Sequence, residues 1–268
     1  MGRIEATFAQ LDSRGEKALI PFLTAGDPDL TTTEALLHAL VAGGADLIEL
    51  GFPFSDPMAD GPTIQASSER ALAAGASLAG VVELVGRFRQ LTNVPVVLMG
   101  YYNPVFRYGV GRFAHDAASA GVDGLLLVDL PPEEADEVHA VLRDAGIRLI
   151  TLLAPTTPRE RAARLAAAGE GYLYYVSMTG VTGSRAVEAA AIEGSVLALK
   201  EFSPVPVAVG FGISTPSDVA AVGRFADAVV VGSALVRVIE ACGTSAQLIP
   251  QVTGFVRSLK DALREKSG

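Results

Sequence analysis

Apolar positions in this chain fall into two rhythms that take turns along its length. Short runs that are apolar almost throughout occur at residues 18–24, 47–51, 94–101, 125–130, 148–153, 173–177, 205–210 and 228–231. Runs of this length, continuous rather than alternating, predict strands of a parallel sheet covered on both faces. The longer stretches between them carry apolar residues three and four apart, which predicts helices. The helices expected with bounds are 4–11, 30–42, 64–74, 78–91, 188–202, 217–225 and 245–265. Strict strand–helix alternation with eight strands points to an α/β fold, a (β/α)8 TIM barrel. A doubly wound open sheet built from the same units is the competing architecture. No linker or low-complexity segment divides the pattern, so residues 1–268 are expected to form a single domain, with extra helices at the N-terminus and after the second strand.

The spacing between strand starts is longest after the second and sixth strands. Those insertions fall at the C-terminal ends of strands, the face where barrel enzymes keep their active sites. The first insertion opens with Asp46-Leu-Ile-Glu-Leu-Gly-Phe-Pro-Phe-Ser-Asp-Pro-Met-Ala-Asp-Gly61, an apolar strand running into a Gly/Pro-rich loop that carries acids. Glu49 lies in the strand itself. A carboxylate there is expensive to bury without a partner, so it is either paired structurally or held for chemistry. Asp60 lies eleven positions later, beside a helix start, where it serves either in chemistry or as an N-cap or turn residue. Asp56, before Pro57, reads as a turn residue. Asp27 and Asp129, also just past strand ends, are second-tier candidates.

Composition narrows the chemistry. A net charge of −9 argues against nucleic acid as a partner, which leaves a basic footprint. Half the residues are apolar, enough for a large core, and no apolar run approaches membrane-spanning length. The single Cys242 cannot form an internal disulfide, the start of the chain has no signal-like apolar core, and a cytoplasmic protein is expected. The lysines, Lys17, Lys200, Lys260 and Lys266, avoid strand C-terminal ends, which disfavours a Schiff base. His38, His115 and His139 lie in helical patterns, so no metal site is expected. Proton transfer is left to carboxylates.

A phosphate cradle is legible near the seventh and eighth strands. Gly212 in Gly210-Phe-Gly-Ile, Gly232 and Ser233 at a helix start, and Gly183 in the loop after the sixth strand could present converging backbone N–H groups. Each glycine alone could equally be a turn residue. Phe22, Tyr101, Tyr102, Tyr174 and Tyr175 sit at or near strand ends, where they line a flat apolar ligand or fill the barrel mouth.

Taken in order, several motifs resemble the α subunit family of tryptophan synthase. They are Pro-Phe-Leu-Thr-Ala-Gly-Asp-Pro at 21–28, the long acidic motif at 47–62, Tyr-Tyr-Asn-Pro at 101–104, Asp-Leu-Pro-Pro-Glu-Glu at 129–134, Gly-Val-Thr-Gly at 180–183 and Gly-Phe-Gly-Ile at 210–213. They span nearly the whole chain, and the acidic motif is the most specific of them. The resemblance implies retro-aldol cleavage of indole-3-glycerol phosphate to indole and glyceraldehyde 3-phosphate in tryptophan biosynthesis. It implies no cofactor in this chain, with pyridoxal phosphate expected only in a β subunit partner within an α2β2 complex. By position it makes Glu49 the general acid/base and Asp60 the acceptor of the indole N–H. Phe22, Tyr174 and Phe211 would border the substrate, and Gly183, Gly212, Gly232 and Ser233 would hold its phosphate. Loops 53–61, 102–108 and 178–187 would face the partner. Gly100 and Met178 depart from the bulkier, or polar or basic, residues expected there. A stand-alone indole-releasing lyase, a non-catalytic regulatory barrel and another phosphate-handling isomerase or epimerase are the competing functions. Both acids stand against the second, and the lack of a strand-end His or Lys stands against the third.

Overall fold

Alternating rhythms give alternating elements in the computed structural model, which describes residues 1–176, 189–210 and 212–264. The strands are β1 (Ala18–Thr24), β2 (Ile48–Gly51), β3 (Val96–Gly100), β4 (Gly124–Leu127), β5 (Arg148–Leu149), β6 (Thr151–Leu153), β7 (Leu173–Val176), β8 (Val207–Gly210) and β9 (Ala228–Val231). Every neighbouring pair is parallel, in the order β5-β4-β3-β2-β1-β9-β8-β7-β6. The two end strands of that order are consecutive in the chain, so the sheet closes into a barrel. The predicted fifth strand, 148–153, is therefore two segments separated by Ile150, whose N–H still reaches the Leu125 carbonyl at 2.9 Å. An open doubly wound sheet is ruled out by that closure.

Helices fill the intervals: α1 (Arg3–Ser13), α2 (Leu30–Gly43), α3 (Pro62–Ala73), α4 (Leu78–Arg89), α5 (Tyr102–Tyr108), α6 (Val110–Ala120), α7 (Asp136–Asp144), α8 (Arg159–Ala167), α9 (Ala189–Phe202), α10 (Pro216–Gly223), α11 (Ser233–Cys242) and α12 (Leu248–Arg264). Local chemistry sets their ends. The Asp29 carboxylate caps α2 through the Thr32 N–H at 2.7 Å, and Gly44 closes it in the left-handed conformation. The helix expected at 245–265 begins at Leu248, after Gly243 at φ +54 has turned the chain out of α11.

Closure sorts the strand residues into two buried layers, which is why the runs read as apolar without alternation. Ile20, Phe22, Leu47, Val97, Met99, Leu126, Tyr174 and Val230 fill the interior. Leu19, Leu23, Ile48, Leu50, Leu98, Val209 and Val231 face the helices. Each such side chain contributes about 1.5–3 kcal/mol on burial. From α1, Ile4, Phe8 and Leu11 join the interior layer, so that helix plugs the N-terminal mouth of the barrel. The opposite mouth is left to the loops that carry the acids.

Candidate active site

Strand alternation decides where Glu49 goes. It shares a face with Leu47, an interior residue, so its carboxylate enters the barrel and is fully buried. In the neighbouring strand its register partner is Phe22. The Tyr172 hydroxyl donates to Glu49 Oε1 at 2.6 Å, while Oε2 has no hydrogen-bond partner among the described residues. No cation is paired with it among those residues. Burial therefore dominates and pushes the carboxyl up to about 8, against the smaller lowering by the Tyr172 hydrogen bond. Since Oε1 already accepts from Tyr172, a protonated Glu49 carries its hydrogen on Oε2. That is the geometry of a general acid at neutral pH.

Asp60 is held differently. Its N–H bonds the Pro57 carbonyl at 3.0 Å in the loop before α3, and Gly61, not Asp60, occupies the N-cap of that helix. The capping alternative is thereby removed. Tyr101, buried at the end of β3, donates to Asp60 Oδ2 at 3.0 Å and accepts from the Ala59 N–H at 3.0 Å. Burial raises the Asp60 carboxyl to about 6, against the hydrogen bond from Tyr101. It stays largely ionised at neutral pH, although closer to titration than an exposed aspartate. Phe54 packs on Tyr101 with ring centroids 5.3 Å apart. Asp56 is exposed and forms part of the turn, its carbonyl accepting from Met58 N–H at 2.8 Å.

Tyr174 links the two acids. It is buried on β7, and its hydroxyl pKa is pushed well up by burial and then by the charges of both Glu49 and Asp60. The structure thus gathers Phe22, Glu49, Asp60 and Tyr174 around one end of the barrel interior. Tyr172, with no assigned role in the sequence reading, belongs with them. Period-two alternation puts it on the same face as Tyr174, which is the signal that could have found it.

Loops after β8 and β9 supply the remaining pieces. Gly212 adopts φ +74, open to glycine, and the loop beyond it is stiffened by Asp218, whose Oδ2 accepts the N–H groups of Ser214 at 3.0 Å and Thr215 at 2.9 Å. Gly232 is the N-cap of α11 and Ser233 its first residue. The first intrahelical bond there is Val236 N–H to the Gly232 carbonyl, so the amides of the first turn lack intrahelical acceptors, an arrangement suited to an anion. Phe211 and Gly183, as well as Met178, lie outside the described residues.

The second-tier acids have partners within the fold. Asp27 forms a bidentate pair with Arg70 of α3, at 2.9 and 2.7 Å, and Arg70 also reaches Glu240 of α11 at 2.8 Å. Asp129 accepts the Tyr102 N–H at 2.7 Å, at the start of α5. Of the lysines, Lys17, Lys200 and Lys260 bond acids or carbonyls at the N-terminal rim, and Lys266 lies outside the described residues. His38, His115 and His139 lie on α2, α6 and α7. Among the described residues no group of three His, Cys, Asp or Glu side chains is placed to hold a metal.

Comparison with known proteins follows the same lines. The family model described as tryptophan synthase alpha chain matches residues 8–264. A tryptophan synthase alpha chain from Citrifermentans bemidjiense is 55% identical over 267 residues, covering 100% of both chains. Among solved structures, tryptophan synthase subunit alpha from Legionella pneumophila superposes with a TM-score of 0.92 at 42% identity, over 99% of this chain and 100% of that one. A chain of the tryptophan synthase complex from Pyrococcus furiosus gives a TM-score of 0.81 at 40% identity, over 91% of this chain and 98% of that one.

Proposed function

Because the chain belongs to the tryptophan synthase alpha chain family, we propose that Glu49 and Asp60 carry out the cleavage that defines it. The protein is an enzyme of tryptophan biosynthesis that splits indole-3-glycerol phosphate into indole and glyceraldehyde 3-phosphate. The family's alpha chains work without a cofactor, and pyridoxal phosphate belongs to the β subunit. Carbon–carbon cleavage then needs the substrate's own ring as electron sink.

Glu49, protonated at the start, gives its Oε2 hydrogen to indole C3, and the ring becomes an indoleninium with its charge on N1. Asp60, ionised, accepts the N1–H and stabilises that charge. Now a carboxylate, Glu49 takes the proton of the hydroxyl on the carbon attached to C3. The C–C bond breaks, its electron pair returns to the ring, and the hydroxyl oxygen becomes the aldehyde of glyceraldehyde 3-phosphate. One proton has moved from hydroxyl to C3, and Glu49 ends protonated as it began. Phe22, Tyr174 and Phe211 border the substrate. Gly183, Gly212, Gly232 and Ser233 take its phosphate. The observation that carries this reading is the buried Glu49 with one oxygen fixed by Tyr172 and, among the described residues, no cation beside it and no partner for the other oxygen.

The assignment requires Asp60 ionised and Glu49 protonated together, which holds between about pH 6 and about pH 8. Indole release should therefore fall off on the acid side as Asp60 takes up a proton and on the alkaline side as Glu49 loses one. Glu49→Gln should reduce turnover by roughly a hundredfold to ten-thousandfold while still binding substrate. Near-normal turnover in that variant, or a profile flat from about pH 5 to about pH 9, would sink the roles given to the two acids.

Solved relatives include a whole tryptophan synthase complex. By the same kinship we propose a β subunit as partner, an α2β2 assembly, a cytoplasmic location and one domain spanning 1–268. The loop 53–61 would meet that partner, as would residues 102–108, which the structure shows as the helix α5 rather than the expected loop, and 178–187, which lies outside the described residues. Met58 on the loop and Phe106 on α5, both well exposed, suit such a contact.

A further inference from the structure

Gly100 stands out as a glycine without a backbone reason. It closes β3 as an ordinary strand residue, and its φ is not among the positive values that glycine alone tolerates easily. What the position needs is the missing side chain. A β-carbon at Gly100 would overlap three carbons of the Phe52 ring. Phe52 is only 3% exposed, and its N–H is tied to the Met99 carbonyl at 3.0 Å, so the ring is anchored by backbone pairing one residue from Gly100. Ring and glycine occupy one volume between them.

That shared volume borders a narrow cleft of about 20 Å³, lined by Phe52, Asp60, Met99, Gly100, Tyr101 and Val128 among others. The space holds about one water. We propose that Phe52 and Gly100 are a matched pair that determines specificity, limiting which substituents the indole ring can carry beside its nitrogen. The inference rests on the reading that Asp60 accepts the indole N–H. With N1 fixed at Asp60, the chain on C3 runs toward the phosphate site at the start of α11, which follows β9. Beyond N1, on the side away from C3, lies the benzo edge that ends in C7. In the barrel order, β9 and β1 lie on one side of β2 while β3 and β4 lie on the other. The cleft reaches from Phe22 and Thr24 of β1 across to Met99, Gly100 and Val128, and the C7 edge faces that second side, with the Phe52 ring as its end wall.

Phe52→Leu shortens that wall, and Gly100→Ala pushes the ring into the cleft. The test measures kcat/KM of the full-length chain for indole-3-glycerol phosphate and its 7-methyl analogue, with circular dichroism and thermal unfolding to establish that each variant is folded. The unsubstituted chain should disfavour the 7-methyl substrate by roughly 10- to 200-fold, the range a single methyl commands in an apolar pocket. Phe52→Leu should shrink that ratio by about tenfold or more. Gly100→Ala should widen it, and Phe52→Leu in the Gly100→Ala background should reverse the widening, since the added methyl then has a smaller neighbour. Three outcomes overturn the proposal. If the ratio is the same in the parent chain and Phe52→Leu, the ring is not the wall. If the two substitutions act additively with no reversal, they are not a pair. If Asp60→Asn cleaves indole-3-glycerol phosphate as fast as the parent chain, the reading of Asp60 fails first, which distinguishes that failure from the other two.

Discussion

Three acids at the N-terminal rim of this barrel and the pair Glu49 and Asp60 at its other end have opposite surroundings. At the N-terminal rim, Asp46, Asp123 and Asp227 each sit just before a strand and accept an N–H from the first or second residue of a neighbouring strand: Leu19 at 2.7 Å, Val96 at 2.9 Å and Val207 at 3.0 Å. Each is also met by cations: Lys260 at 2.7 Å, Arg89 and Arg3 at 2.9 and 2.8 Å, and Lys200 and Lys17 at 2.6 and 3.5 Å. At the other end, Glu49 and Asp60 each receive one tyrosine hydroxyl and no cation among the described residues. Burial alone therefore does not mark a working carboxylate. A buried acid with a cation fastens strands together, and one left with only a neutral donor is kept near the pH at which it can exchange a proton.

The comparison breaks most visibly at Lys260. Its side chain is 2% exposed, yet its ammonium bonds Asp46 at 2.7 Å and the Lys17 carbonyl at 3.0 Å, joining α12 to the starts of β1 and β2. Lys260→Met leaves Asp46 buried without its partner, and burial already raises that carboxyl despite the lysine. Removing one member of a buried pair costs about 3–5 kcal/mol, and we expect a loss of that size in urea unfolding, with normal indole release from the folded fraction. A loss below about 1 kcal/mol would show that the rim pair is not structural.

Glu49→Gln should do the reverse. The Glu49 carboxyl is raised in the folded state from an ordinary 4.5 to about 8. Below about pH 4.5 it is neutral in both folded and unfolded chains and costs nothing. As pH rises toward about 8 the unfolded chain ionises while the folded one resists, so the native protein loses stability across that window. Glutamine removes the titration. The variant should gain on the parent with rising pH, by a few kcal/mol at about pH 8 and above. If the two stability curves stay parallel from about pH 4 to about pH 9, burial is not what raises Glu49.

Both ends were written in the sequence, unequally. The eight apolar runs gave a parallel sheet buried on both faces, a pattern that a doubly wound open sheet shares, and the strand order is what decides for the barrel. The break at Ile150 was hidden, because an inward isoleucine between strand segments looks like any other apolar residue. Glu49 and Asp60 stood out as acids beside apolar or Gly/Pro-rich sequence. Their donors did not, since Tyr172 is 123 residues from Glu49 and Tyr101 is 41 from Asp60. The rim acids repeat visibly as a small or apolar residue, then Asp, then a strand, at 45–46, 122–123 and 226–227. What makes them structural is their cations, and those lie 214, 34 and 27 residues away for Lys260, Arg89 and Lys200. Position in a motif is local, whereas the charge that neutralises it arrives with the fold.

The smallest test separates burial from pairing at one end of the molecule. Lys17 meets Asp227 at 3.5 Å with both side chains about a third to a quarter exposed, at 32% and 26%, and Lys200 already neutralises the same carboxylate at 2.6 Å. Water and Lys200 together leave little for Lys17 to contribute, so Lys17→Met should shift stability by less than about 1 kcal/mol, and less still at high salt. Paired with Lys260→Met, it compares two rim lysines of like chemistry that differ mainly in enclosure. Chemical unfolding of the two variants side by side should give effects several-fold apart. Equal losses would mean that enclosure does not set the strength of these rim pairs, and the contrast drawn between the barrel's two ends would have to rest on the cations alone.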